Sequence, residues 1–377
     1  MGGRVAAGGR LQSGRTPVLV SVLLGILLFV AIVGSFLVVT DRTYLLRRLP
    51  GWPAPAPAVT AVLAGKVQPS ADGVYWGAFL PRADLDHSVV SSFGSEVGRT
   101  PAIVSIYQQW WGEPSFPTAT ARWLSGRRSV PLIVWEPWRP GQVGSAATHQ
   151  PNYALAAIAA GRFDGYVRRY ADQVKAYAGP LFLEPLHEMN GDWYPWGGTV
   201  NGNTPNDYVA AWRHLYAIFQ EEGATNVTWT WTTNRDSVPN TAGNQPAGYW
   251  PGAGYVDWVG LDAYNWGTAQ GKQWWSVEQT FGASLASLRQ LGKPIIVAET
   301  ACAEVGGDKA GWIDTLFETL GGAYRDLVDA VVWFDEPFGA FDWRTNSSAA
   351  AQAAFKKGVA RPGLLAAGHV VVSAPST

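Results

Sequence analysis

The feature that most constrains this chain is a repeated alternation that begins near Gly73. Short apolar runs occupy residues 74–80, 102–110, 132–138, 181–188, 227–233, 256–264, 294–300 and 330–334, and most are separated by stretches with helical spacing. An alternation of strand and helix lays successive strands side by side and parallel, because each helix carries the chain back before the next strand starts. Eight such units are the number that closes a (β/α)8 TIM barrel, for which ~250 residues is typical. A chain of 377 residues therefore has room for one barrel with flanks.

The helical stretches carry their own punctuation. Thr204-Pro205-Asn206-Asp207 offers an N-cap, a proline at the first helical position and an early acid. Val209, Trp212, Tyr216 and Phe219 follow at helical spacing, and Gly223 marks the stop. Ser276 and Gln279 make a capping-box pattern, and Asp308 and Ser347 are the N-cap candidates for the last two helices. Residues 240–254, rich in Gly, Pro and Asn, have no helical pattern, so one crossover is expected to be degenerate.

The flanks differ from this core. Residues 1–16 are Gly/Arg-rich and expected to be disordered. Residues 17–40 carry no charge and are dense in Val, Leu, Ile and Phe, long enough against the ~20 residues that cross a bilayer. The stretch exceeds the apolar core of a cleaved signal peptide, so it reads as one uncleaved N-terminal transmembrane helix, with the protein partnered to a membrane. Arg4, Arg10 and Arg15 before it nearly balance Arg42, Arg47 and Arg48 offset by Asp41 after it, so charge alone does not orient the anchor. Residues 41–72 are Pro/Ala-rich and read as a semi-rigid linker, 73–361 as the barrel, and 362–377 as a disordered tail. A net charge of −1 with 15% charged residues argues against a nucleic-acid partner. Cys302 is the only cysteine, which excludes an intrachain disulfide. The five histidines are scattered, and no metal or cofactor is expected; neither is a second subunit.

Within the alternation, residues 181–198 read LFLEPLHEMNGDWYPWGG. An apolar strand breaks at Asn190-Gly191 into a loop holding Trp193, Tyr194 and Trp196, with Glu188 at the junction. An acid held near apolar surface keeps its proton at neutral pH, and flat rings stack on sugar faces, so the combination suits carbohydrate chemistry. Trp is abundant here, with 20 residues, but composition does not say whether indoles fill a core or line a groove. A second acid, Glu299, closes the seventh run in PIIVAET. Strand ends of a closed barrel share one mouth, so Glu188 and Glu299 are expected to face each other there, as the paired carboxyls of a retaining glycosidase must. Period-2 alternation groups Glu299 with Val297 and Ile295 on the inward face.

HEMNGDWYPWG, VDWVGLDAYNWG, PIIVAET and FDWRTNSS, with VWEPW at 134–138 and ATNVTWTWTTN at 224–234, together resemble the catalytic domain of glycoside hydrolase family 26. The family holds β-mannanases, lichenase-type β-glucanases and β-1,3-xylanases. The resemblance runs from about Gly73 to Val359 and implies a (β/α)8 barrel with a retaining mechanism on a polysaccharide substrate. It implies that Glu188 is the acid/base and Glu299 the nucleophile, with Tyr264 beside the nucleophile. Trp193 matches a cleft aromatic and Trp333 a sugar platform at the cleavage subsite. His187, Asp262 and Glu136 are further inward candidates around the substrate. Where an arginine would be expected in the fourth strand this chain has Glu184, which needs a partner or a proton if buried. No arginine follows Trp333, which reads Trp333-Phe334-Asp335, and this favours a β-glucan over mannan. The expected activity is thus an endo-acting retaining β-glycanase, anchored with its catalytic domain outside the cytoplasm. The alternatives are a non-hydrolytic carbohydrate-binding barrel and a transglycosylase that trims the cell's own polysaccharide on export.

Overall fold

The structure is a computed structural model that describes residues 65–142 and 145–373. The expected disordered N-terminus and the transmembrane segment at 17–40 lie outside the described residues. Among the described residues no helix is long and apolar enough to cross a membrane.

All eight apolar runs form strands: β1 (Val74–Phe79), β2 (Ile103–Gln109), β3 (Val130–Glu136), β4 (Leu181–Pro185), β5 (Val227–Asn234), β6 (Trp258–Asp262), β7 (Ile295–Thr300) and β8 (Ala330–Phe334). Each pairs in parallel with the next, and β8 closes on β1 through a register running from Tyr75 opposite Ala330 to Phe79 opposite Phe334. Among the described residues, seven α-helices of eight or more residues cover the outside: α1 (Ser88–Val97), α2 (Thr118–Ser125), α3 (Asp164–Tyr177), α4 (Pro205–Glu222), α5 (Val277–Leu288), α6 (Lys309–Gly321) and α7 (Ala349–Val359). Between β5 and β6 the described chain has only short 3-10 turns, so that crossover is the degenerate one.

The helix starts follow from local chemistry. Thr204 and Ser276 both complete reciprocal capping boxes, and the Asp308 side chain accepts from the Gly311 amide. The last helix is capped by Ser348, one residue after the expected Ser347.

Strand alternation sorts the side chains into two layers. Tyr75, Ile103, Leu132, Val134, Phe182, Trp258, Ile296 and Val332 fill the barrel interior. Trp76, Trp135, Trp229 and Trp231 lie in the other cluster with Trp212 and Phe219 of α4. Most of the fully buried tryptophans therefore serve as strand-to-helix packing.

Two flank expectations need correction. The linker was expected to run to residue 72 and the tail to lack structure from 362. Instead Val67–Gln68 pairs antiparallel with Val371–Val372, and Leu364–Leu365 adds in parallel beside the start of β1. Val67 is buried; its amide donates to Thr228 Oγ1 at 2.8 Å and its carbonyl accepts from Trp258 Nε1 at 3.1 Å. The two ends of the described chain thus plug the floor of the barrel. Two-residue strands have no periodicity to read, which is why the sequence hid them.

Candidate active site

Glu188 owes its position to a backbone that leaves the sheet early. β4 stops at Pro185, and both Leu186 (φ 57°) and Glu188 (φ 52°) take left-handed conformations. Such conformations cost about 1–3 kcal/mol for residues with a side chain and persist only where the surroundings fix them. Here the Glu188 amide donates to Thr232 O at 3.1 Å, while Asn190 clamps the end of β5. Asn190 Nδ2 donates to Asn234 O and Asn190 Oδ1 accepts from Asn234 N, both at 2.9 Å. Gly191 is required at the turn because a Cβ there would lie 2.4 Å from the Trp193 ring. Trp193 is thereby folded back so that its Nε1–H donates to Glu188 Oε2 at 2.6 Å, and Asn234 Nδ2 donates to Oε1 at 2.6 Å. Burial and then the charge of nearby Glu299 push Glu188 up to about 8 against these two bonds, so it holds its proton at neutral pH.

Glu299 faces it from β7. The Tyr107 hydroxyl donates to one carboxylate oxygen and the Tyr264 hydroxyl to the other, the latter at 2.5 Å. Burial raises its pKa, and the two tyrosines oppose that by stabilising the charged form. Its inward direction does not come from simple alternation. Val297 and Ile295 lie in the strand-to-helix layer, whereas Ile296 and Ala298 lie inside. The β7–β8 register shifts between Val297 and Thr300, and the β6–β7 register shifts at Leu261/Asp262 so that Asp262 sits opposite Glu299. The irregularity turns Glu299 over into the mouth, as bulges next to active sites do.

Around this pair the barrel collects acids. Donor atoms of His187, Asp262 and Glu299 lie within 4.8 Å of one another. The sequence had offered no metal-ligand spacing, but the fold builds this trio; both Glu299 oxygens in it already accept tyrosine hydroxyls. His187 is buried and driven down to about 3 by desolvation, hence neutral, with Nε2 3.2 Å from the Tyr194 hydroxyl. Glu136 is also desolvated and pushed up to about 8, its Oε2 accepting from Gln109 Nε2 at 2.5 Å and Trp138 Nε1 at 3.3 Å. Glu184 and Asp262 are raised well above the usual range by burial, and among the described residues no side-chain oxygen of either has a hydrogen bond of ordinary geometry. Glu188 and Glu299 keep 8% and 7% of their surface exposed while Glu184 and Asp262 keep none, so only the first pair can meet a substrate.

The comparisons with known proteins agree with this geometry. Residues 146–313 match the model for glycosyl hydrolase family 26. Endoglucanase H of Acetivibrio thermocellus is 40% identical over 276 residues, which are 72% of this chain and 29% of that protein. A mannan endo-1,4-beta-mannosidase of Bacillus subtilis is 24% identical over 259 residues, 56% of this chain and 68% of that one. Among solved structures, a Cellulomonas fimi endo-beta-1,4-mannanase superposes with a TM-score of 0.59 at 16% identity, covering 79% of this chain and 73% of that chain. At that identity the likeness shows the shared fold. By the family model and these relatives, the barrel is similar to glycosyl hydrolase family 26 domains. The chain spans under a third of the length of Endoglucanase H.

Within this barrel, seven of the eight expected site residues come together: Glu136, His187, Glu188, Trp193, Asp262, Tyr264 and Glu299. Trp333 does not join them. It sits edge-on to Trp312 of α6 and Phe355 of α7, with Nε1–H donating to Trp343 O at 2.8 Å, and so packs between strand and helices. Its strand neighbour Phe334 faces the mouth instead, against Phe79, Tyr107 and Tyr264. The flat ring beside Tyr264 is Trp343, stacked on it at 4.4 Å. Sequence reading missed Tyr107, Asn234 and Trp343 as site residues. Tyr107 had a signal, since it follows Ile103 and Ser105 at inward parity to the end of β2. Asn234 likewise ends β5 at the parity of Thr230 and Thr232.

Proposed function

We propose that this chain is a retaining endo-β-glycanase that cuts a β-linked polysaccharide by double displacement. Glu188 donates its proton to the glycosidic oxygen as the C–O bond to the leaving chain breaks, while Glu299 attacks the anomeric carbon and forms a glycosyl ester. Glu188, now a carboxylate, then takes a proton from a water that attacks the same carbon, and Glu299 is released with the original configuration restored. The observation that carries the reading is the division of hydrogen bonds between the two acids. Two tyrosine hydroxyls favour the charged form of Glu299, and that charge helps keep the proton on Glu188. Tyr264, Trp193, His187, Glu136 and Asp262 position the sugar or the acids.

The polymer we favour is a β-glucan. Support comes from the missing arginine after Trp333 and from the 40% identity to a protein named as an endoglucanase. Mannose and glucose differ at the C2 hydroxyl, and a site built to bond one hydroxyl is left with unpaired buried groups by the other epimer. We further propose that residues 17–40 anchor the enzyme to a membrane as a monomer, with the barrel outside the cytoplasm where such polymers lie. Incubation of the protein with mannan, mixed-linkage glucan, xylan and cellulose, followed by product analysis, tests the reading. Mixed-linkage glucan is expected to give the highest kcat/KM, with β-configured first products. A higher kcat/KM on mannan would overturn the glucan assignment, and α-configured first products the retaining one.

A further inference from the structure

A second concavity, of about 330 Å3, lies on the rim of the mouth and is lined by Trp111, Arg139, Asn152, Tyr153, Arg162 and Phe163. It is at the small end of the ~300–1,000 Å3 range of ligand sites. Trp111 and Arg139 follow the ends of β2 and β3, two and three residues beyond Gln109 and Glu136. Trp138, the residue before Arg139 in the chain, belongs to the catalytic side: its Nε1–H donates to Glu136 and its ring stands edge-on to Tyr194 at 5.6 Å. A polymer chain leaving the two catalytic acids on the side of the β2 and β3 ends would therefore run toward this pocket.

The lining has an unusual chemistry for a neutral sugar. Two of the six side chains are arginines, none is acidic, and neither arginine makes an ion pair with another described residue. The Arg139 guanidinium carbon lies over the Trp111 ring, 4.4 Å from its centroid, a cation–π contact that holds the head near the indole. Arg162 is held from the other wall by an Nη1–H bond to Asn152 Oδ1 at 2.9 Å. Tyr153 and Phe163 stack on each other at 5.0 Å, and the Tyr153 hydroxyl donates to Trp110 O at 3.0 Å, so this wall is rigid. Trp111 is 38% exposed, leaving ring surface for a sugar face. Planar guanidinium forks held in place beside an exposed indole match a pyranose ring that carries a carboxylate.

We propose that this pocket is an accessory subsite for an acidic sugar unit, whose ring packs on Trp111 and whose carboxylate is bound by Arg139 and Arg162. The inference rests on the glycanase reading and narrows it: the natural polymer carries uronic-acid-type residues at a fixed distance from the bond that is cut.

Binding to the full-length protein tests it without any turnover. Methyl β-D-glucuronide and methyl β-D-glucoside are titrated in parallel, followed by NMR, at low and high salt. The glucuronide is expected to bind at least tenfold more tightly, with the advantage shrinking as salt rises. Arg139→Gln with Arg162→Gln should erase the preference, whereas Trp111→Ala should weaken both ligands and keep it. Equal affinity for the two glycosides, or a preference that survives both arginine changes, would overturn the subsite. Because neither ligand is a chain to be cut, absence of hydrolysis on every polymer would count against the glycanase reading alone.

Discussion

Glu136→Gln changes one atom in the mouth of the barrel and should remove one source of the stability lost as pH rises. The Glu136 side chain is buried and its pKa is pushed from 4.5 to about 8, first by desolvation, with Glu299 and Glu188 adding to the rise. A carboxyl whose pKa is higher folded than unfolded binds its proton more tightly in the native state. Its contribution is complete below the unfolded value near 4.5 and is lost as pH rises through the folded value near 8. Each proton so held is worth about 1.4 kcal/mol per pH unit, which over this window sets a ceiling of about 5 kcal/mol. Glutamine cannot titrate, and its amide oxygen can still accept from Gln109 Nε2 and Trp138 Nε1. Wild type and variant are therefore expected to be similar near pH 5. By pH 8 the variant should be the more stable by several kcal/mol. Urea unfolding followed by circular dichroism at pH 5, 6, 7 and 8 measures the difference. Parallel pH dependences, or a variant that loses ground as pH rises, would refute the reasoning.

Three further outcomes follow from the same geometry. Glu299→Gln should abolish turnover of every substrate, whereas Glu188→Gln should retain activity on an activated aryl β-glycoside whose leaving group needs no proton; equal and total loss from both would remove the assignment of roles. Asn234→Ala deletes a donor 2.6 Å from Glu188 Oε1, and a bond to a charged group is worth about 1.5–3 kcal/mol, so the alkaline limb of the kcat/KM profile should move up by about one to two pH units. An unmoved or lowered limb would show that Asn234 does not tune the acid. A chain beginning at residue 73 should unfold at lower temperature than one beginning at 65, because it lacks Val67, whose burial alone is worth about 1.5–3 kcal/mol. Matching melting temperatures would mean that the plug contributes nothing.

The sequence by itself determined the eight strands and their order, because buried parallel strands must be apolar wherever they occur and helices announce their own starts. Thr204 and Ser276 cap their helices through residues three positions away, and the missing crossover after β5 was legible from its Gly, Pro and Asn content. The two acids were legible too, since any carboxylate at the end of a barrel strand is carried to one mouth. What only the tertiary structure decided depends on neighbours that are distant in the chain. Alternation assigned Glu299 to the face of Val297, and the register shifts against β6 and β8 put it on the other. Trp333 was expected beside the sugar, yet the pairing of β8 with β1 and β7 sends it toward α6 and α7 and leaves that place to Phe334 and Trp343. Tyr107 holds Glu299 across the closure of the barrel, from β2 to β7. The plug of Val67–Gln68 against Val371–Val372 joins the two ends of the described chain. Local pattern fixes which residues are buried; the direction a side chain takes at an irregular strand end is set by the strands beside it.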